Sequence, residues 1–210
     1  MTERVYCALK EAIVSLQLRP RDSLIIGDVA KEYNISRTPV REAIILLEQE
    51  GWVETDGRRG ARVTVPSVAK VMEVIEMQAV LEGYVVRKAT SLLTTADLEQ
   101  LEALLTTAEQ VLAQGSLDLC YQLGNQFHDT LAEKVGNQRI AQQIIQLREH
   151  VDRVRPLIWK VTQAPVAVSA HQHRLIFRAI CDRDPSHAEE LMMNHTLWFE
   201  SELVDALEHV

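Results

Sequence analysis

Apolar residues recur every three to four positions along most of this chain, and the period changes in one stretch only. Val5, Leu9, Ile13 and Leu16 fall on one side of a helix predicted over 2–18, and Pro20, Arg21 and Asp22 make the turn after it. Leu24, Val29, Ala30 and Tyr33 mark the buried side of a short helix. Asn34 and Ile35 form a tight turn, and a second helix runs from about 37 to 50 on an apolar face of Val40, Ala43, Ile44 and Leu47. Ser36 is placed as its N-cap, where a hydroxyl can accept from free first-turn amides. Pro39 falls in that first turn, where its missing amide needs no intrahelical partner. Gly51 ends the helix as a left-handed C-cap. Over 52–65 the period drops to two. Trp52, Val53 and Glu54 read as one strand and Asp56-Gly57 as a turn. Ala61, Val63 and Val65 face one way in a second strand, with Arg62 and Thr64 opposite.

A short helix, a tight turn and a helix with Arg37, Thr38 and Arg41 free at its start is a helix-turn-helix layout. The two strands add a wing with Arg58 and Arg59 near its tip, and Gly60 would let the backbone come close to a groove. Residues 1–66 are therefore predicted as an α+β winged helix-turn-helix, with Pro66 and Ser67 at the boundary. Beyond it the helical period resumes without a strand signal. Helices are predicted near 67–91, 95–113, 117–134, 137–160, 164–182 and 185–208, with breaks at Gly115 and Gly136-Asn137 and a helix start at Asp184-Pro185. Six helices and no strands imply an all-α bundle over 67–210.

Composition changes this picture little. The chain has 210 residues, of which 47% are hydrophobic and only 5% aromatic, so the core is mostly aliphatic. Cys7, Cys120 and Cys181 are too scattered for a disulfide framework or a ligand cluster. With no signal peptide and no membrane-length apolar run, a soluble cytoplasmic protein is expected. Charge bears on partners. The formal net charge is −8, and all of it lies beyond residue 66. The first 66 residues are balanced, so DNA contact is confined to the half whose arginines converge on one side.

The motif SRTPVREA at 36–43, with LLEQEGWVE at 46–54 and RRGARV at 58–63, resembles the GntR family of bacterial transcriptional regulators. The resemblance implies that Ser36, Arg37, Thr38 and Pro39 open a recognition helix. Arg37 would read a guanine edge bidentately, Arg41 a base or a phosphate, and Ser36 and Thr38 phosphates. Arg58, Arg59 and Gly60 of the wing would approach the minor groove. Many relatives carry an arginine at the position of Gly27, so that contact is missing here. LEGYVVRKA at 81–89, FHDTLAEKVGN at 127–137 and HRLIFRAICDRD at 173–184 resemble the effector domain of the FadR-type branch, in its shorter, VanR-like version. Such domains dimerise, bind small organic acids or related metabolites, and often hold a divalent metal.

His128, His173 and His195 match the family's metal histidines and lie on three predicted helices; by residue pattern alone each reads rather as a hydrogen-bonded core or surface histidine. His171, two residues from His173, should face elsewhere. The family's aspartate ligand is Gly124 here, which cannot coordinate. Asn125 could reach through its carbonyl oxygen, or water or an effector carboxylate could fill the open positions. The resemblance thus implies a three-histidine site for zinc or nickel, weakly held. Gln78 stands where relatives have an arginine facing the cavity, and with the three histidines it makes the expected effector-binding set. The function implied is a ligand-responsive regulator, a repressor rather than an enzyme, binding a pseudo-palindromic DNA operator as a homodimer. The alternatives are a metal-dependent enzyme or a structural module that kept the fold without reading DNA.

Overall fold

A computed structural model describes residues 1–55, 60–65, 67–154 and 164–208. The predicted turn at Asp56-Gly57, Arg58, Arg59, Pro66 and the last part of the helix predicted over 137–160 lie outside the described residues. The chain divides into two compact units, Met1–Ser67 and Val68–Val210.

In the first unit the order is α1 (Thr2–Val14), β1 (Ser23–Ile25), α2 (Ile26–Glu32), α3 (Arg37–Gln49), β2 (Val53–Thr55) and β3 (Gly60–Val63). Val5, Leu9 and Ile13 of α1 pack with Val40, Ala43, Ile44 and Leu47 of α3 and with Trp52 in one buried cluster. Burying such aliphatic side chains stabilises by roughly 1.5–3 kcal/mol each. The helix-turn-helix geometry follows from local chemistry. Asn34 takes a left-handed φ of 54° and the Ile35 amide donates to the Ala30 carbonyl at 2.9 Å, which closes α2. At the other end of α3, Gly51 has φ 78°. Its amide donates to Glu48 and the Trp52 amide to Leu47, the double closure of a Schellman motif.

Several sequence expectations are corrected here. Leu24 belongs to a strand rather than to the short helix. β1 pairs antiparallel with β3, so the sheet has the order β1-β3-β2 and three strands rather than two. β2 begins one residue later than expected, because the Trp52 amide is spent on closing α3. Val65 does not point inward with Ala61 and Val63; β3 ends at Val63 and Val65 is 52% exposed. The first helix ends at Val14, and Leu16 lies beyond it with φ 60°. Ser36 does occupy the N-cap of α3, but its hydroxyl makes no capping hydrogen bond.

A polar brace joins α1 to the end of α3. Lys10 Nζ and Trp52 Nε1 donate to Glu50 Oε2 at 3.0 and 2.9 Å, and Tyr6 Oη donates to Oε1 at 2.6 Å. Burial alone would raise the Glu50 carboxyl. The bonds from Tyr6, Trp52 and Lys10 outweigh it and hold the group below its ordinary value.

The second unit is helical throughout its described residues: α4 (Val68–Leu92), α5 (Thr95–Ala113), α6 (Leu117–Val135), α7 (Gln138–Asp152), α8 (Ala164–Cys181) and α9 (Pro185–Glu208). The chain is thus a winged helix-turn-helix followed by an all-helical bundle. Thr94 and Asp97 form a capping box at the start of α5, and Gly136 closes α6 in the left-handed region. Gly83 brings α4 and α9 close together, since a Cβ there would stand 2.7 Å from Met193 Cγ. The core includes Val86, Phe127, Leu131, Ile176 and Ile180, and a cavity lined from all six helices adjoins it.

Candidate DNA-reading surface and effector site

On α3, Val40, Ala43, Ile44 and Leu47 take the inward face, so the first turn is left to solvent. Ser36, Arg37, Thr38 and Arg41 are exposed, and Pro39 is half-buried. Position 27 also bears on Arg37. A Cβ at Gly27 would lie 3.7 Å from one guanidinium nitrogen of Arg37, an ordinary contact, so the two positions are neighbours on this surface. Gly60 has a plainer reason than groove access. It pairs with Ile25, and a Cβ would sit 2.0 Å from the Leu24 carbonyl oxygen, which no side chain can do while β1 stays paired.

In the bundle, α6 presents His128, α8 His173 and α9 His195. His128 and His173 are buried, His195 is half-buried and His171 is exposed, as its offset of two residues on a helix requires. Phe127, fully buried, packs its ring 5.7 Å from His128 and 5.2 Å from His173. The three imidazoles meet. Nε2 of His173 lies 3.0 Å from Nε2 of His128 and 3.0 Å from Nε2 of His195. Two nitrogens held at about 2.0–2.1 Å from one ion and this far apart would subtend about 90°.

The outer ring atoms are engaged elsewhere. Nδ1 of His128 is 2.8 Å from Glu82 Oε2, a charge contact bent away from a linear hydrogen bond. Nδ1 of His195 is 2.7 Å from Gln172 Oε1. Burial opposes ionisation of Glu82. The charge and proximity of His128, the charge of Arg148 and the bond from Gln78 overcome it and bring the carboxyl down to about 2. Burial, reinforced by the neighbouring imidazoles, pushes His173 well below its ordinary value and His195 down to about 3. Both are therefore neutral near pH 7, the state in which an imidazole binds a metal. Three ring nitrogens facing one point share too few protons to satisfy each other. His173 has one Nε2 hydrogen at most and two Nε2 neighbours. A divalent cation fits this donor set and resolves the excess of lone pairs.

The histidines border a cavity of about 100 Å³. Gln78, Asn125, Tyr121, Thr196 and Arg148 also line it, against apolar walls such as Ile75 and Trp198. Gln78 donates to Glu82 Oε1 at 2.8 Å and so supports that carboxylate. Gly124 sits beneath His173: a Cβ there would be 2.9 Å from the ring carbon Cε1. Asn125 borders the cavity at the adjoining position. Sequence reasoning did not single out Glu82, Gln172 or Arg148. Glu82 lies inside the quoted motif LEGYVVRKA, four residues after Gln78, a spacing that shares a helix face. Arg148 is buried and donates to Asp129 at 2.8 Å. Burial would lower its proton affinity, but Asp129 and Glu82 raise it overall, so it stays a fixed cation at the cavity wall.

Residues 1–63 match the bacterial regulatory proteins of the gntR family, and residues 73–197 match the FCD domain. The chain belongs to the GntR family. It is 30% identical over 195 residues to the HTH-type transcriptional repressor RspR of Escherichia coli K12, covering 93% of this chain and 85% of that protein. It is 24% identical over 182 residues to the Nta operon transcriptional regulator of Aminobacter aminovorans, covering 87% and 84%. Among solved structures it shares its fold with E. coli McbR/YncC, at TM-score 0.76 and 20% identity over 97% of both chains. A putative GntR regulator from Rhodococcus sp. RHA1 aligns at TM-score 0.70 and 22% identity, again over 97% of both. This GntR protein is a DNA-binding transcriptional regulator of the FadR-type branch, with an FCD effector domain, and its family is not catalytic. Among the described residues no helix is long and apolar enough to cross a membrane.

Proposed function

We propose that this GntR regulator is a repressor that binds a pseudo-palindromic operator as a homodimer and changes its affinity when a small organic acid enters the bundle. The observation that carries the effector half is the meeting of three Nε2 atoms, 3.0 Å apart in two pairs, at a cavity that a buried arginine also lines. His128, His173 and His195 hold a divalent ion, zinc or nickel by the preference of imidazole for such ions. An ion held there would supply a Lewis-acid position for an effector carboxylate. Asn125, water or that carboxylate would complete the ligand set. Arg148 supplies the cation that Gln78 cannot. A cavity of about 100 Å³ suits an acid of few heavy atoms, since about 150 Å³ holds a benzene.

In this reading residues 1–66 read DNA and 67–210 bind effector and dimerise. Arg37 and Arg41 stand free for base edges and Ser36 and Thr38 for phosphates, while Arg58 and Arg59 contribute from the wing. A second copy doubles the few base contacts one winged helix offers, so operator symmetry mirrors protein symmetry. Met77, Val80 and Tyr84, spaced three and four apart on α4, are 48%, 59% and 41% exposed and form the apolar stripe available to a partner α4. Repression rather than activation follows the name of the relative RspR.

The test is selection of bound duplexes from a random pool, followed by titration of the selected duplex with Zn²⁺ or Ni²⁺ and a panel of small carboxylic acids. Recovery of two-fold symmetric sites, with affinity shifted by an acid that binds only the metal-loaded protein, is the expected result. Recovery of asymmetric single sites would overturn the dimer reading. An acid that binds the bundle and leaves operator affinity unchanged would overturn the effector reading, because a ligand shifts an equilibrium only through differential affinity for its two states.

A further inference from the structure

We infer that Glu82 and Gln172 are positioning residues that set the tautomers of His128 and His195, and so aim two Nε2 lone pairs at the ion. The inference rests on the metal reading above and concerns residues outside the ligand set. Glu82 is buried, and the polar side chains within reach of its two oxygens are groups that can donate. Gln78 Nε2 lies 2.8 Å from its Oε1. His128 Nδ1 and Thr196 Oγ1 lie 2.8 and 3.4 Å from its Oε2. A carboxylate at 2.8 Å repels a ring lone pair and attracts a ring N–H, so the His128 proton is on Nδ1. On the far side of the cluster, the Gln172 carbonyl oxygen 2.7 Å from His195 Nδ1 also takes an N–H. A neutral imidazole has one ring proton. Holding it outward leaves Nε2 of both rings bare and directed at Nε2 of His173.

Two independent outer contacts, on α4 and α8, thus give the same result on rings from α6 and α9. Outer partners of metal-bound histidines fix ring orientation and basicity, and their loss costs about 10–100-fold in metal affinity. Glu82 has a second effect. With Gly124 in place of a coordinating carboxylate, the ligand set would hold only imidazoles, and Glu82 brings a carboxylate against one of them, His128. It therefore raises the basicity of one ligand and balances part of the ion's charge without occupying a coordination position, which leaves room for an effector.

Two measurements on the full-length, tag-free protein test this. In the metal-free wild type, long-range ¹H–¹⁵N correlation spectra should show His128 and His195 as Nδ1–H tautomers. Nε2–H tautomers at both would overturn the inference even if metal binds. In competition with a chromophoric chelator, Glu82→Gln and Gln172→Leu should each lose about 10–100-fold in Zn²⁺ affinity. Gln172→Glu, which keeps an acceptor in place, should retain it. Wild-type affinity in both Glu82→Gln and Gln172→Leu would overturn the positioning role. A wild type with Nδ1–H tautomers that takes up neither Zn²⁺ nor Ni²⁺ would instead overturn the metal reading beneath it.

Discussion

Gly124 stands where the resemblance implied a coordinating aspartate, and the structure gives the glycine a steric meaning. The His173 ring stands 2.9 Å from where any Cβ at 124 would be. Adding one forces that ring aside, and overpacking of this kind costs about 1–3 kcal/mol, against about 1 kcal/mol regained by removing a helix-interior glycine. Gly124→Ala is therefore expected to lower Zn²⁺ affinity while changing overall stability little. Equilibrium dialysis decides it, and unchanged affinity would mean the ring has room to spare. His173→Ala should abolish uptake altogether. At the other end of the chain, Arg37→Ala should lose about 1–3 kcal/mol of discrimination between operator and scrambled duplex. Equal losses on both duplexes, in parallel titrations, would assign Arg37 to the phosphates. The three histidines were legible in the sequence through their local motifs. Glu82, Gln172 and Arg148 were not, because their importance lies in which ring atom or cavity wall they reach across helices distant in sequence.

At the scale of elements, the brace between α1 and α3 has a measurable worth. Glu50→Ala removes the acceptor shared by Tyr6, Lys10 and Trp52, and should destabilise the first unit by about 1–3 kcal/mol at neutral pH. The sign with pH follows from the carboxyl being held below its ordinary value. Its contribution is present above the ordinary carboxylate range and is lost as pH falls through the lowered value. Hydrogen exchange of α1 peptides should therefore differ between wild type and variant at pH 7 and converge toward pH 3. A difference that persists in acid would show that packing, not the ionised brace, was lost. The helices themselves were nearly all legible, since they have an apolar period and a chemical boundary, a stop such as Gly51 or Gly136 or a start such as Asp184-Pro185. β1 was not. Ser23-Leu24-Ile25 is too short for a period to show, and only Gly60, distant in sequence, creates the space in which it pairs.

At the scale of the molecule, the net charge lies beyond the first unit. Residues 1–66 are balanced and the remainder carries the −8. Binding should then be modest and rest on the arginines of the first unit, each phosphate they neutralise adding about −0.9 to the slope of log affinity against log salt. Affinity that falls steeply with salt, measured on the selected operator, is the expected outcome, and affinity indifferent to salt would contradict it. Val80→Glu places a charge on the exposed α4 stripe and should give monomers in sedimentation, with operator affinity falling in step. A variant that remains dimeric would move the dimer surface away from α4.

The histidine cluster ties α6, α8 and α9 to one another and, through Glu82, to α4. An ion seated there would pin helices that are far apart in sequence, so metal loading would stiffen the bundle before any effector arrives. The cavity and the half-buried His195 would keep one face of the ion within reach of the acid. Metal supply would then set how many regulators are able to answer, and the acid would decide which of those do.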